Sequence, residues 1–212
     1  MTAVLLANVL TDAIEWLDDV SAQWWFLALI VAVAYFDSVV PIVPSETSVI
    51  IGGVAAGMGH YNVGWVILCG AVGAFLGDNT AYLLGARMSG WISRWAERKP
   101  KFKRRLDWAA EQIRVRGGLL LITARFIPGG RTALTLSSGI THQPRRWFIS
   151  WTALAAMIWA TYAALLGYIG GKAFADNHTM AFVVAFGAAL GITVLIEVVR
   201  HLRNNDVDVP VG

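Results

Sequence analysis

Apolar and charged positions in this chain fall into long blocks. From Trp24 to Gly57 the sequence carries two charges, Asp37 and Glu46, with Pro41 and Pro44 between them. A straight membrane span needs only about 20 residues, and prolines that lack a backbone donor break a helix at mid-stretch. Residues 24–57 therefore read as a re-entrant hairpin that enters an apolar phase and turns back. Residues 63–86 follow as a plain spanning helix whose one charge is Asp78, with Gly73 and Gly77 at the small-residue spacing that lets helices approach closely. Residues 88–117 place Trp91, Trp95, Phe102, Leu106 and Ile113 at near-helical spacing opposite Lys101, Lys103, Arg104 and Arg105, which predicts an amphipathic interfacial segment. Residues 118–144 repeat the earlier pattern. They are apolar, hold Arg125 and Arg131, and are broken by Pro128, Gly129 and Gly130, so they read as a second re-entrant hairpin. Uncharged residues 147–171 and the stretch 180–201 complete the set as spans. Residues 1–23 predict an amphipathic N-terminal helix with Asn8, Thr11, Asp12, Glu15, Asp18 and Asp19 on one arc. Two placements for it stay open, flat on the membrane surface or against the protein's own body.

Composition agrees with that pattern. A chain that is 57% hydrophobic and 15% charged, with mean hydropathy +0.58, lies far from the roughly 25% charged fraction of soluble domains. The fold class expected is an all-α polytopic membrane protein in one membrane domain. Residues 87–116 carry 10 Lys or Arg against 3 acids, which assigns them to the cytoplasmic side and gives them anionic lipid as a partner. The hairpin-then-span order occurs twice, once opening outward and once inward, which is the mark of an inverted-topology repeat. The same bias places the C-terminus in the cytoplasm. The first charged side chains are acidic, so a cleavable signal peptide is not expected. Cys69 stands alone and His60, His142, His178 and His201 are scattered, so no metal, cofactor or nucleic-acid partner is expected. Self-association is left open.

Asp37, Glu46, Arg125 and Arg131 decide the function class. Each would cost about 2.5–3.5 kcal/mol at a helix centre facing lipid. Four such costs rival the net stability of a domain, so the charges are expected to line a wet cavity or to pair, two acids of one hairpin facing two bases of the other. Unwound turns also expose backbone N–H groups, and with Arg forks they suit a phosphate or carboxylate. The ligand chemistry expected is an anionic headgroup.

With those residues set out, the chain resembles a known family. Phe36 and Asp37 through Pro41, Pro44, Ser45 and Glu46 to Gly52 and Gly53 resemble the first signature of the DedA family of bacterial membrane proteins, also called the VTT or SNARE-associated domain. Arg125-Phe126-Ile127-Pro128-Gly129-Gly130-Arg131, followed by Gly139, is similar to the second. Gly73, Gly77, Asp78, Tyr82, Gly85, Ala86, Arg87 and Gly90 match the pattern between them. The resemblance implies a multi-pass protein of the bacterial cytoplasmic (inner) membrane with two opposed re-entrant hairpins. It also implies flipping of lipids such as undecaprenyl phosphate or phosphatidylethanolamine, coupled to protons or sodium. Carried over by motif, Arg125, Arg131, Pro128, Gly129, Gly130 and Ser45 are the substrate-binding positions, and Glu46, Asp37 and Asp78 the proton-coupling ones. The first acid, commonly Glu in the family, is Asp here.

Two other function classes compete. A lipid-phosphate enzyme would also gather Arg residues, but it needs a nucleophile or base beside the phosphate, and no H-E-x-x-H, P-loop or G-x-S-x-G run is present. A structural or assembly protein would hold the same charges fully paired with no open site. The expectation is therefore a transporter and not an enzyme.

Overall fold

The computed structural model describes Trp16, Leu17, residues 19–39, 45–126 and 130–173, and Gly187. The predicted span 180–201, most of the N-terminal helix, and Pro41, Pro44, Pro128 and Gly129 lie outside the described residues. Every regular element among those described is helical: α1 Trp25–Val39, α2 Ser45–Gly57, α3 Val63–Glu97, α4 Pro100–Arg116, α5 Leu119–Thr123, a 3-10 turn Ala124–Phe126, α6 Gly130–Ile140 and α7 Arg145–Ala173.

α3 starts where Asn62 Oδ1 accepts a hydrogen bond from Gly64 N at 2.7 Å, which caps the first free N–H groups. It runs past the expected end at residue 86 without a break to Glu97, because nothing from Arg87 onward interrupts it before Pro100. Its apolar stretch Val63–Ile92 has 30 residues and α7 has 29. At 1.5 Å per residue each is long enough to cross an apolar layer of about 30 Å. Pro100 opens α4, where its missing N–H costs nothing, and Gly117, at φ 59°, closes it.

α2 and α6 end alike. His60 N donates to Ala55 O and Gly59 N to Ala56 O, while Gln143 N donates to Ser138 O and His142 N to Gly139 O. Both are Schellman closures with a positive-φ residue, Gly59 at 95° and His142 at 51°. A spanning helix begins within a few residues of each.

Close approaches fix how the helices run. On α1 and α3, Gly73 lies against Val31, and Gly77 against Tyr35 and Ser38. Numbers rise together, so the two helices are parallel. Gly85 lies against Leu136 and Gly139 against Tyr82, while Asp78 meets Arg131, so α6 also runs parallel to α3. α2 and α7 run parallel through Gly53 and Gly57 against Gly167 and Gly171. At each of these glycines a Cβ would collide with main chain or a close side chain. Gly52 lies against Ile30 while Ser45 meets Asp37, so α1 and α2 are antiparallel. α3 and α7 are antiparallel too, with Gly70 beside Ala160 and the Tyr82 and Phe148 rings 4.5 Å apart.

The first helix of each broken pair packs on the spanning helix that follows it, α1 on α3 and α5 on α7, and the second packs on the other spanning helix, α2 on α7 and α6 on α3. The main apolar core is built from Ile30, Val49, Val54, Val66, Ala74, Trp159, Ala160 and their neighbours, and Leu17 and Val20 pack against it. In this part the N-terminal segment therefore meets the protein's own body. A smaller cluster of Tyr82, Leu121 and Phe148 lies toward the α3 C-terminus.

Candidate functional site

The parallel runs of α1 with α3 and of α6 with α3 have one consequence at mid-height. α1 ends, and α6 begins, beside the centre of the long apolar helix, where Asp78 sits. Four ends of broken helices therefore converge there: Asp37 in the last turn of α1, Ser45 and Glu46 in the first turn of α2, Arg125 in the 3-10 turn and Arg131 in the first turn of α6. Asp78 is the sole acid or base between Val63 and Ala86.

Arg131 Nη2 donates to Asp37 Oδ2 at 3.0 Å, and its Nε lies 3.6 Å from Asp78 Oδ1. Arg125 Nη2 pairs with Asp78 Oδ2, and its guanidinium stands 5.9 Å from the centre of the Trp159 ring. Ser45 Oγ donates to Asp37 Oδ2 at 2.5 Å, tying the start of α2 to the end of α1. Thr132 Oγ1 donates to Ser38 O at 3.2 Å, and Ser38 Oγ donates to Ala74 O at 3.3 Å, which stitch α6 to α1 and α1 to α3 below the charges.

The charges balance in pairs, though not in the pairs the sequence suggested. Asp37 of the first broken pair does face Arg131 of the second. Arg125 instead faces Asp78, an acid of the spanning helix, because the 3-10 turn reaches α3 before α1. Glu46 turns away from the guanidinium groups. Tyr162 on α7 donates to its Oε1, since parallel packing of α2 on α7 puts the first turn of α2 beside that helix. Two acids and two guanidiniums thus cancel around Asp78, and Glu46 has no ion-pair partner among the described residues.

Access is graded. The Asp78 and Arg125 side chains are each 1% exposed, whereas Arg131 is 11% and Asp37 19% exposed. The outer pair can exchange with a ligand and the inner pair is sealed. Two inner atoms, Arg125 Nη1 and Asp78 Oδ1, are buried without a hydrogen-bond partner among the described residues. Such a site can bind an anion by competition, with a carboxylate giving way at a guanidinium that stays charged.

Of the expected site residues, the structure brings Asp37, Ser45, Asp78, Arg125 and Arg131 into one cluster. Glu46 stands at its edge with Tyr162, Gly130 opens α6, and Pro128 and Gly129 are outside the described residues. Sequence reasoning placed Asp78 among the proton-coupling positions, without an ion-pair partner, and did not single out Tyr162, Thr132, Ser38 or Trp159. A lone acid at the centre of an apolar span was the available signal for Asp78. The others look like ordinary members of apolar helices.

A VTT domain profile matches residues 43–169. The chain is 29% identical over 159 residues to inner membrane protein YohD of Escherichia coli strain K12, covering 75% of this chain and 77% of that one. It is 24% identical to Protein DedA of the same strain over 187 residues, 84% of each chain. With undecaprenyl phosphate transporter A of Bacillus subtilis it shares 22% identity over 178 residues, 83% of this chain and 85% of that one. No solved structure matches the chain significantly. The profile spans more than half of the sequence, and the chain belongs to the VTT-domain family as a DedA family membrane protein.

Proposed function

We propose that this protein is a transporter that flips a lipid whose headgroup bears an anionic phosphate group, such as undecaprenyl phosphate or a phospholipid like phosphatidylethanolamine, across the bacterial cytoplasmic membrane. The observation that carries the reading is the partly reachable Arg131–Asp37 pair at the ends of two broken helices, halfway along a helix long enough to span. A headgroup phosphate that takes Arg131 from Asp37 replaces one anion by another at the guanidinium, and the freed Asp37 is neutralised by a proton or a cation while the acyl or prenyl chain stays in lipid. The relative named as an undecaprenyl phosphate transporter supports the substrate class.

The two broken pairs act as opposed re-entrant hairpins of an inverted repeat. Their crossed packing on α3 and α7 and the matching closures at Gly59 and His142 support this reading. Basic α4, with Arg87 on α3 before it and Arg145 and Arg146 at the start of α7, marks the cytoplasmic side, where it contacts anionic lipid. On that topology the chain is multi-pass and its C-terminus is cytoplasmic. Release of Asp37, or the acid at Glu46 that has no ion-pair partner among the described residues, gives proton or sodium coupling a place to act.

Purified protein in liposomes carrying labelled undecaprenyl phosphate or phosphatidylethanolamine, under imposed pH or sodium gradients, tests the proposal. Accelerated exchange between leaflets is expected, lost in Arg131→Ala. Equal exchange by an inserted Arg131→Ala protein refutes it, and release of inorganic phosphate redirects it to an enzyme.

A further inference from the structure

Packing divides the described helices into two bodies. α1, α3 and α6 are joined backbone to backbone at Gly73, Gly77, Gly85 and Gly139, and α2 and α7 are joined at Gly53, Gly57, Gly167 and Gly171, with α5 lying on α7. Each broken pair is thereby split, one member in each body. Arg131 with Asp37 and Asp78 stays within the first body, and Glu46 with Tyr162 within the second. The contact of Ser45 to Asp37 crosses between them, and Arg125, on the 3-10 turn between α5 and α6, bridges them: it pairs with Asp78 of the first body and its guanidinium stands 5.9 Å from the Trp159 ring of the second. Of these, only the contact of Arg125 with Asp78 is an ion pair, and it is the sealed one.

The apolar contacts holding the seam are unequal on the two sides of that layer. Toward the α3 N-terminus the main cluster joins the bodies through Ile30, Val49, Val66 and Ala160 with many buried neighbours. Toward the basic end the buried residues that meet across the seam, among the described side chains, are Tyr82, Leu121 and Phe148. Burial of apolar area scales with the area removed from water, so among the described side chains the basic end is the weaker seal. Arg125 also keeps one buried nitrogen without a hydrogen-bond partner among the described residues, so an incoming anion finds a donor that Asp78 does not use.

We propose that Asp78 is a positioning residue that latches this seam. Its ion pair with Arg125 holds the two bodies together, and an anionic group that takes Arg125 lets them part at the Tyr82–Leu121–Phe148 contact while the main cluster stays closed. Asp78 acts through Arg125 and does not touch the ligand. The role in transport rests on the reading above, whereas the latch itself is a statement about geometry.

The test uses the full chain with Cys69→Ser in lipid vesicles, spin-labelled at exposed positions. Met88→Cys with Ser150→Cys reports the basic end, and Trp65→Cys with Ile169→Cys the opposite end. Pulsed dipolar distances are expected to gain a longer population at the basic end in Asp78→Asn, to return to the parent distribution in Asp78→Glu, and to stay unchanged at the opposite end. Phe148→Ala thins the seal without altering charge and is expected to add the same longer population, which covers the case of an Asn variant that does not fold. Parent distances in a folded Asp78→Asn protein, or opening at the opposite end, overturn the latch, and where Asp78→Asn does not fold, parent distances in Phe148→Ala do so. A phosphate-bearing lipid and free inorganic phosphate are added separately to the parent protein. Opening with the lipid alone identifies the headgroup as ligand, opening with both identifies phosphate itself, and opening with neither overturns the release step. If the parent flips no lipid in the same vesicles, the transporter reading fails while the distances still decide the latch.

Discussion

Replacing Arg131 by Gln removes the one side chain among the described residues that forms ion pairs with both Asp37, at 3.0 Å, and Asp78, at 3.6 Å. The cluster then holds two carboxylates and one guanidinium, a net charge of about −1 where the parent has none. Removing one partner of a fully buried pair costs about 3–5 kcal/mol, while exposed pairs contribute about 0–1 kcal/mol. With Arg131 11% and Asp37 19% exposed, the pair lies between these limits, and a coupling of about 1–3 kcal/mol is expected. The double variant Asp37→Asn/Arg131→Gln restores neutrality, so it should be more stable than Arg131→Gln alone by roughly that amount. Thermal unfolding in detergent, with all four corners of the cycle measured, gives the coupling. Lipid exchange in liposomes is the second readout, and there the double variant should stay as inactive as the single, because no guanidinium is left at the reachable position. Additivity to within about 0.5 kcal/mol refutes the pairing. Recovery of exchange together with stability refutes the assignment of Arg131 to the headgroup.

Glu46→Gln removes the acid that has no ion-pair partner among the described residues, and lipid exchange measured across a pH series should depend less on pH than in the parent. Gly167→Leu places a side chain against Ile50 and Gly53 of the neighbouring helix and should destabilise by about 1–3 kcal/mol or more. Gly90→Ala, with open space at its Cβ, should stabilise the same helix-rich fold by about 0.5–1 kcal/mol in the same unfolding assay. His142→Gly relieves a non-glycine residue at φ 51° in the α6 closure and should raise stability by about 1 kcal/mol, read as an increased melting temperature.

How much of this was legible beforehand depended on whether a feature is local. Prolines between apolar blocks announce a broken helix in any context, so two such pairs could be read from Pro41, Pro44 and Pro128 before any coordinates. Small residues such as Gly73 and Gly77 likewise announce a close neighbour without naming it; the structure supplies α1 as that neighbour. Partner choice is not local. Whether Arg125 meets Glu46 or Asp78 is decided by α6 running parallel to α3 and by α2 packing on α7, and both depend on contacts far apart in the chain.

The same reasoning explains why the sequence leaves the partner of Asp78 open and why Asp78 matters. A single acid in an apolar span is costly in isolation, and a hydrogen bond or a helix cap satisfies that cost as well as an ion pair does. Two guanidiniums arriving from one broken segment remove the ambiguity, because among the described residues neither has another carboxylate to share except Asp37. Charge balance then forces a division of labour. The sealed pair, 1% exposed on both sides, cannot exchange with a ligand without the protein moving, while the outer pair can exchange at rest. Binding at the outer pair and motion at the inner one are therefore coupled through Arg131, whose Nε lies 3.6 Å from the Asp78 carboxylate of the inner pair, and the Asp78→Asn and Arg131→Gln variants should separate them: the first alters distances across the seam, the second alters lipid exchange with the seam intact.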